Sequence, residues 1–428
     1  MTAFVDLRQR MVLPDRSADD LRALLKEKSW TLPEWFSSAA PFHAPDHLVP
    51  DVLDLAIAYP SYREELLNLA GDYGQQLAHS SPQWSSLRRF QHAGSWTSLA
   101  GTDRLQWLRD RRRTRPAEAV AQVARTWSVE TSRDRADFLG AFTDGLGNHD
   151  IALLERALDD DSSDVRLAAV QLLRRLPASP FAARMAARSR AWIRLEPKPI
   201  RPRLVVNLPG SLDRSARRDG IENVHFKNKG IQRWWLRMAV TATPLWVWEE
   251  MIGSAEAAWE IPIEESWRAV IREAWTSAIV LQRNPRWAGA MLQSLGRQTP
   301  HRVVPLAPIR QRVFEIRSGL TDSYLLDVDG QSLFEGLPHP WPDPVVTKVV
   351  ELLVETADRH ADSGRLFGPL SRHSHYTTLR RVEAHFPFPA AILLDRAAAR
   401  SRDPEWARAF SDAAEGIRRR RRMLDELR

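Results

Sequence analysis

The segment from Asp150 to Leu176 constrains the fold more than any other part of this sequence. After Asp150 it reads IALLERALDDDSSDVRLAAVQLLRRL. An apolar helix leads into an acidic turn at Asp159–Asp161, and a second helix follows with apolar residues at helical spacing. Ser163 or Asp164 is expected to cap this second helix, and Pro177 to end it. Two short helices joined by an acidic turn predict an all-α protein of packed helix pairs.

The second helix of this segment resembles helix B of a HEAT repeat. The matching positions are Asp164, Val165, Arg166, Ala168, Ala169, Leu172 and Leu173. About 30 residues earlier the pattern returns weakly, with Asp134, Phe138 and Leu139 in the places of Asp164 and the two alanines. The resemblance implies a HEAT-like α-solenoid, in which stacked helix pairs bury their apolar faces on their neighbours.

Proline positions and composition divide the chain into four predicted segments. They are an N-terminal helical region at 1–101, HEAT-like repeats at 102–194, an irregular insertion loop at 195–232 and a C-terminal helical repeat region at 233–428. The insertion carries Pro197, Pro199, Pro202 and Pro209, which exclude a continuous helix there. LVVNLP at 204–209 predicts a short strand inside it, and the turn DVDG predicts a small hairpin within 313–337.

The composition excludes several classes of protein. The chain has no cysteine, which excludes disulfides, a thiol nucleophile and cysteine-ligated zinc. Charges interrupt every apolar run before the roughly 20 residues that a membrane-spanning helix needs. The start MTAFVDLRQR lacks the apolar core of a signal peptide. We therefore expect a cytoplasmic protein that does not enter a membrane.

The chain is basic, with a formal net charge of +7 and a pI of about 10.0. Two basic clusters are candidates for binding a partner or a phosphate group. The first consists of Arg217, Arg218, Lys227, Lys229 and Arg233, and the second of Arg111, Arg112 and Arg113. The run Arg418–Arg422 is a further basic stretch, which predicts either a solvated helix face or a contact with an acidic partner.

Four tryptophans lie close to the first basic cluster, at Trp234, Trp235, Trp246 and Trp248. Aromatic rings beside cationic side chains stack the bases of single-stranded nucleic acid. Tryptophans at helical spacing are more typical of a core between paired helices. The spacing here favours a core.

No motif supports a metal or cofactor site. The run Asp159–Asp161 and the DVDG sequence at 327–330 lack the ligand spacing of a calcium loop, so each is interpreted as a turn. His373 and His375 have chemistry compatible with zinc, and His385 is the only candidate for a third ligand. We therefore expect no metal and no cofactor.

Catalytic motifs are also absent from the sequence. It contains no G-x-x-x-x-G-K-[ST], G-x-G-x-x-G, G-x-S-x-G or H-E-x-x-H. Asp219 and His225 are the only acid–base pair in the insertion that keeps an enzymatic interpretation open. No catalytic residue is predicted.

A wider resemblance runs from about residue 65 to 345, and the first 60 residues match it poorly. It is carried by the motifs TDRLQWLRDRR, ALDDDSSDVRLAAVQLLRRLPASPFAARM, RRDGI, RWWLRMAVTATPLWVW and HPWP. In these motifs the chain resembles an uncharacterised bacterial family of unknown function. Its members tend to be encoded beside a SWIM zinc-finger protein, a MoxR-type AAA+ ATPase and a von Willebrand A-domain protein. The resemblance implies these three proteins as partners and implies no activity.

Repeat architecture without catalytic motifs predicts a non-enzymatic scaffold or adaptor for protein–protein interaction, in a system with the MoxR-type ATPase and the von Willebrand A-domain protein. The alternative is a HEAT-like protein that binds nucleic acid through its basic and aromatic surface.

Overall fold

The computed structural model describes residues 10–88, 96, 99, 101–221, 229–326, 328–363 and 371–428. Most of these residues are helical. The strands among them form two separate two-stranded sheets. None of the described helices combines the length and the apolarity that crossing a bilayer requires.

The helices are mostly short, and many begin at a proline or at a capping side chain. In chain order they are α1 (Asp15–Lys26), α2 (Leu32–Ala39), α3 (Val49–Ala58), α4 (Arg63–Ser80), α5 (Gly101–Thr114), α6 (Pro116–Thr126), α7 (Ser132–Gly140), α8 (Ile151–Ala157), α9 (Ser163–Leu173), α10 (Pro180–Trp192), α11 (Arg214–Arg218), α12 (Lys229–Ala242), α13 (Leu245–Ile252), α14 (Ala255–Glu260), α15 (Glu265–Gln282), α16 (Pro285–Leu295), α17 (Ile309–Gly319), α18 (Asp322–Leu326), α19 (Val328–Ser332), α20 (Asp343–Ser363), α21 (Tyr376–His385), α22 (Ala391–Arg400) and α23 (Pro404–Asp425).

The chain folds into two compact units. The first unit combines Met1–Arg89 with Val313–Arg428, and the second is Phe90–Arg312. In the first unit, Met423 and Leu427 near the end of the chain share one apolar core with residues of α1 to α4. The four segments predicted from the sequence are a different partition, based on composition instead of contacts.

The acidic turn between α8 and α9 belongs to the second unit. Ser162 occupies the N-cap position of α9 without a side-chain cap, so the expected cap by Ser163 or Asp164 is wrong. Both residues lie in the first turn of the helix. Asp160 organises the turn instead, because its Oδ1 accepts a hydrogen bond from the Ser162 backbone N–H at 3.0 Å.

One side-chain arrangement around α5 joins neighbouring helices of the second unit. The guanidinium of Arg104 lies 4.4 Å from the ring centre of Trp96. The same guanidinium donates from Nη1 to Glu130 Oε2 at 3.0 Å, just before α7 begins. The ring and the carboxylate both contact a cation that is mostly buried.

The arrangement returns about 30 residues further along the chain. Arg135 on α7 lies 5.8 Å from the ring centre of Trp127, and its Nη2 donates to Asp160 Oδ1 at 3.0 Å. A tryptophan, an arginine and a carboxylate therefore join α5 to the start of α7 and α7 to the start of α9 in the same way.

The insertion contains part of a small sheet. Strands β3 (Ile193–Glu196) and β4 (Arg203–Val206) pair antiparallel, so the strand predicted at 204–209 is confirmed in its first residues. The other sheet consists of β1 (Met11–Val12) and β2 (Phe42–His43), which pair in parallel.

The hairpin predicted within 313–337 is wrong, because α17, α18 and α19 occupy this stretch. Ile316 on α17 and Leu325 on α18 are fully buried. Asp327 of the DVDG sequence lies outside the described residues.

Tryptophans form much of the core of the second unit. Trp248, Trp275 and Trp287 are fully buried, with ring centres 5.6 Å apart in the first pair and 5.7 Å apart in the second. Trp235 is also buried, whereas Trp246 is 52% exposed. The favoured core interpretation is confirmed for Trp235 and Trp248, and Trp246 lies at the surface.

Candidate binding site

The second predicted basic cluster lies on α5, and its central residue is not on the surface. Arg112 is fully buried and donates to both carboxylate oxygens of Asp150, at 2.6 and 2.8 Å. The expectation that Arg112 contacts a partner is corrected, because its charge is already neutralised inside the fold. Arg113 is exposed and pairs with Asp110 at 2.7 Å, and the Arg111 guanidinium lies 5.5 Å from the ring centre of Trp107.

The first predicted basic cluster is only partly within the described residues. Arg217 and Arg233 are exposed. Arg218 pairs with Asp159 through two hydrogen bonds of 2.6 and 2.7 Å. Lys227 and the side chain of Lys229 lie outside the described residues.

Asp219 lies inside a network of arginines. Its side chain is fully buried and accepts hydrogen bonds from Arg184 and Arg188, the latter at 2.7 Å. Both carboxylate oxygens are therefore engaged, which leaves little freedom for proton transfer. His225, its predicted acid–base partner, lies outside the described residues.

The histidines weighed as metal ligands have separate surroundings. His375 is buried with its Nε2 3.1 Å from Asp322 Oδ1, and Trp406 packs on its ring. His385 instead lines a cavity with His339. Among the described residues, no group of three or more histidines, cysteines, aspartates or glutamates has a geometry suited to a metal ion.

The run Arg418–Arg422 is anchored at its centre. Arg420 is buried and donates from Nη1 and Nη2 to the backbone carbonyls of Glu383 and Phe386, each at 2.5 Å. Its Nε lies 3.1 Å from Glu34 Oε2. Arg422 is exposed and pairs with Glu415 at 2.7 Å.

A further candidate site is a half-open cavity of about 540 Å³ in the first unit. Three rings form one continuous stack along its wall. Phe334 lies 4.7 Å from Trp341, and Trp341 lies 5.3 Å from His385, between ring centres. Trp30 contributes a fourth ring, which is 38% exposed. The wall is therefore largely aromatic.

A chain of polar contacts crosses one side of this cavity. His339 Nε2 lies 2.8 Å from Glu34 Oε1, and His339 Nδ1 lies 3.3 Å from His385 Nδ1. A hydrogen bond between these two atoms requires a proton on one Nδ1 and a lone pair on the other. Burial lowers the pKa of His385 to about 4, and the nearby His339 and the guanidinium of Arg381 add to the effect. His385 is therefore neutral at pH 7.

Arg381 supplies the cation of the cavity. Its guanidinium lies 4.8 Å from the ring centre of Trp30 and 5.9 Å from that of Phe334. Nη1 donates to the backbone carbonyl of Gln331 at 3.0 Å. Nε is buried without a hydrogen-bond partner, and Glu335, which lines the same cavity, attracts the guanidinium. Burial lowers the pKa of Arg381, and Glu335 acts in the opposite direction.

Sequence reasoning missed this cavity, although one motif touched it. His339 and Trp341 belong to the HPWP motif, which served only to carry the family resemblance. Trp30 and Arg381 come from opposite ends of the chain. No local spacing connects them, so only the folded unit shows that they are neighbours.

A sequence model described as "Family of unknown function (DUF5691)" matches residues 6–427. The match includes residues 6–60, so the expectation that the first 60 residues depart from the family is corrected. No curated protein and no solved structure matches the chain.

Proposed function

This chain belongs to the family of unknown function DUF5691, and on that premise we propose that it is a non-enzymatic α-solenoid scaffold or adaptor for protein–protein interaction. The proposed fold is HEAT-like, with stacked helix pairs. The proposed setting is the cytoplasm, in a system with a MoxR-type AAA+ ATPase and a von Willebrand A-domain protein.

The recurring tryptophan, arginine and carboxylate arrangement carries the proposal. The same three kinds of side chain join α5 to the start of α7 and α7 to the start of α9, about 30 residues apart. Repeated contacts between successive helix pairs are the way in which solenoids extend, and extended helix stacks present long surfaces to protein partners.

The nucleic-acid alternative has weaker support. Binding to the phosphate backbone requires arginines and lysines that are free to replace counterions. Arg112 and Arg420 are buried, and Arg218 and Arg422 are paired with carboxylates of the same chain. These four arginines are therefore engaged within the fold instead of being free for phosphate groups.

The proposal is tested by affinity measurements with purified proteins. The full chain is immobilised and presented separately with the three partners that the family resemblance implies, a MoxR-type ATPase, a von Willebrand A-domain protein and a SWIM zinc-finger protein. We expect at least one of them to bind with a Kd below about 10 μM. A gel-shift titration at low salt is expected to show no complex with duplex or single-stranded DNA.

Two surface variants sharpen the measurement. Leu167 on α9 is 57% exposed, and Ile200 in the insertion is 94% exposed. Leu167→Glu is expected to weaken partner binding about tenfold or more, because an unpaired charge that becomes buried under a partner costs desolvation energy. Ile200→Glu is the control and should bind normally. Failure of all three partners to bind, or DNA binding at low salt, contradicts the scaffold proposal.

A further inference from the structure

The cavity of the first unit has no part in the scaffold proposed above, and its lining is suited to a small ligand. Its volume of about 540 Å³ falls in the range of roughly 300–1,000 Å³ that is typical of small-molecule sites. Such sites combine apolar walls with a few polar groups that fix the orientation of the ligand. The stack of Phe334, Trp341 and His385 supplies the wall, and Arg381 supplies the polar group.

The charge of Arg381 is only partly balanced. The lining contains two carboxylates, and one of them, Glu34, already contacts His339 and Arg420. Arg381 donates to a backbone carbonyl, and Glu335 attracts the guanidinium. A partly desolvated guanidinium whose charge is only partly balanced is costly, and an anion that enters the cavity reduces this cost.

The surroundings of Arg381 also indicate the shape of the ligand beyond its anionic group. Trp30 covers one side of the guanidinium at 4.8 Å, and it is the most exposed aromatic ring of the lining. A planar ring stacks on such an indole with favourable offset or edge-to-face geometry. A guanidinium fork pairs with a carboxylate or with a phosphate. Arg381 is the only arginine or lysine among the described residues of the lining, which also includes two glutamates, so a singly charged carboxylate fits better than a phosphate dianion.

We propose that this cavity binds a planar aromatic carboxylate, with the carboxylate paired to Arg381 and the ring packed against Trp30. The hydroxyl groups of Ser37 and Ser38 line the same cavity and offer further hydrogen bonds to polar substituents on the ring.

Isothermal titration of the full chain with three probes tests the ligand class. The probes are 2-naphthoate, its neutral isostere 2-naphthamide and inorganic phosphate. We expect 2-naphthoate to bind with a Kd below about 1 mM and at least about tenfold more tightly than the amide. Phosphate is expected not to bind. Absence of naphthoate binding, equal binding of acid and amide, or binding of phosphate alone overturns the proposal.

Matched variants locate the binding site. Arg381→Met should weaken naphthoate binding about tenfold or more. Arg380→Met is the control, because Arg380 lies on the same helix but pairs with Glu383 and does not line this cavity. Ser37→Trp is a second test that leaves Arg381 intact and fills the cavity, so it should abolish binding even if Arg381→Met fails to fold. Normal binding by Ser37→Trp places the ligand elsewhere and overturns the proposal.

Discussion

The buried pair of Arg112 and Asp150 gives the sharpest prediction about stability. Arg112→Met leaves a fully buried carboxylate with the Gly147 backbone N–H at 3.0 Å and His149 Nε2 at 3.4 Å as its nearest polar neighbours. It also removes the hydrogen bonds that Arg112 donates to the carbonyls of Pro116, Phe142 and Asp144. Removing one partner of a buried pair costs about 3–5 kcal/mol. We expect a loss of that size in the second unit.

The next residue in the sequence provides the control. Arg113 is also paired with an aspartate, but its side chain is 41% exposed. An exposed pair contributes about 1 kcal/mol or less. Arg113→Met should therefore be nearly neutral, although it removes the same charge from the same helix. The double variant Arg112→Met with Asp150→Leu should recover part of the lost stability, because it no longer buries an unpaired charge.

Hydrogen exchange followed by mass spectrometry is the suitable assay. The chain has two compact units, so unfolding of the whole protein by urea need not follow a single transition. Peptides from α5 to α8 report the free energy of opening where the pair lies. Equal exchange in the Arg112→Met and Arg113→Met variants would refute the reasoning that the buried pair anchors these helices.

Three further predictions concern single residues. Gly145→Ala should lower the Tm by several degrees, which corresponds to a loss of about 2 kcal/mol or more. The reason is that Gly145 has φ +60° and that an added Cβ would lie 2.4 Å from the Arg112 carbonyl oxygen. An unchanged Tm contradicts this prediction. Trp248 is fully buried, so Trp248→Ala should lower the free energy of opening that hydrogen exchange measures for the second unit by about 3–5 kcal/mol. Trp246→Ala, at a 52% exposed site, should cost less than about 1 kcal/mol in the same measurement. The folded-state pKa of His385, about 4, is below its unfolded value of about 6.5, so the unfolded chain binds more protons between these values and stability should fall by about 2 kcal/mol as the pH drops from 7 to 4. His385→Asn should flatten that part of the pH profile, and an equally steep profile would assign it to other groups.

Many helices could be predicted from the sequence because their ends carry local signals. Asn284 caps α16 and Pro285 begins it, while Asp403 caps α23 and Pro404 begins it. Both helices begin where the sequence carries a capping side chain followed by a proline. The cap of α9 was harder to predict, because several adjacent side chains of the acidic turn have suitable capping chemistry. Neither Ser163 nor Asp164, the two expected caps, occupies the N-cap position.

The candidate sites could not be predicted in the same way. The sequence shows that Arg111, Arg112 and Arg113 form a basic run, but not that the middle one points to a carboxylate on a distant helix. The same local sequence is compatible with an exposed basic run and with a run that contains one buried, paired arginine. Long-range pairing decides between them, and one sequence contains no signal for it. The cavity around Arg381 was missed for the same reason.

The first unit is composed of both ends of this chain, and this has a consequence for its synthesis. The ribosome produces α1 to α4 before the second unit, whereas Met423 and Leu427, which belong to the apolar core of those helices, are made after it. The whole of Phe90–Arg312 is translated in between. Apolar faces of α1 to α4 therefore stay exposed while the second unit is synthesised and has time to fold. A chain released before Met423 keeps the sequence of its N-terminal helices but lacks residues that close their core.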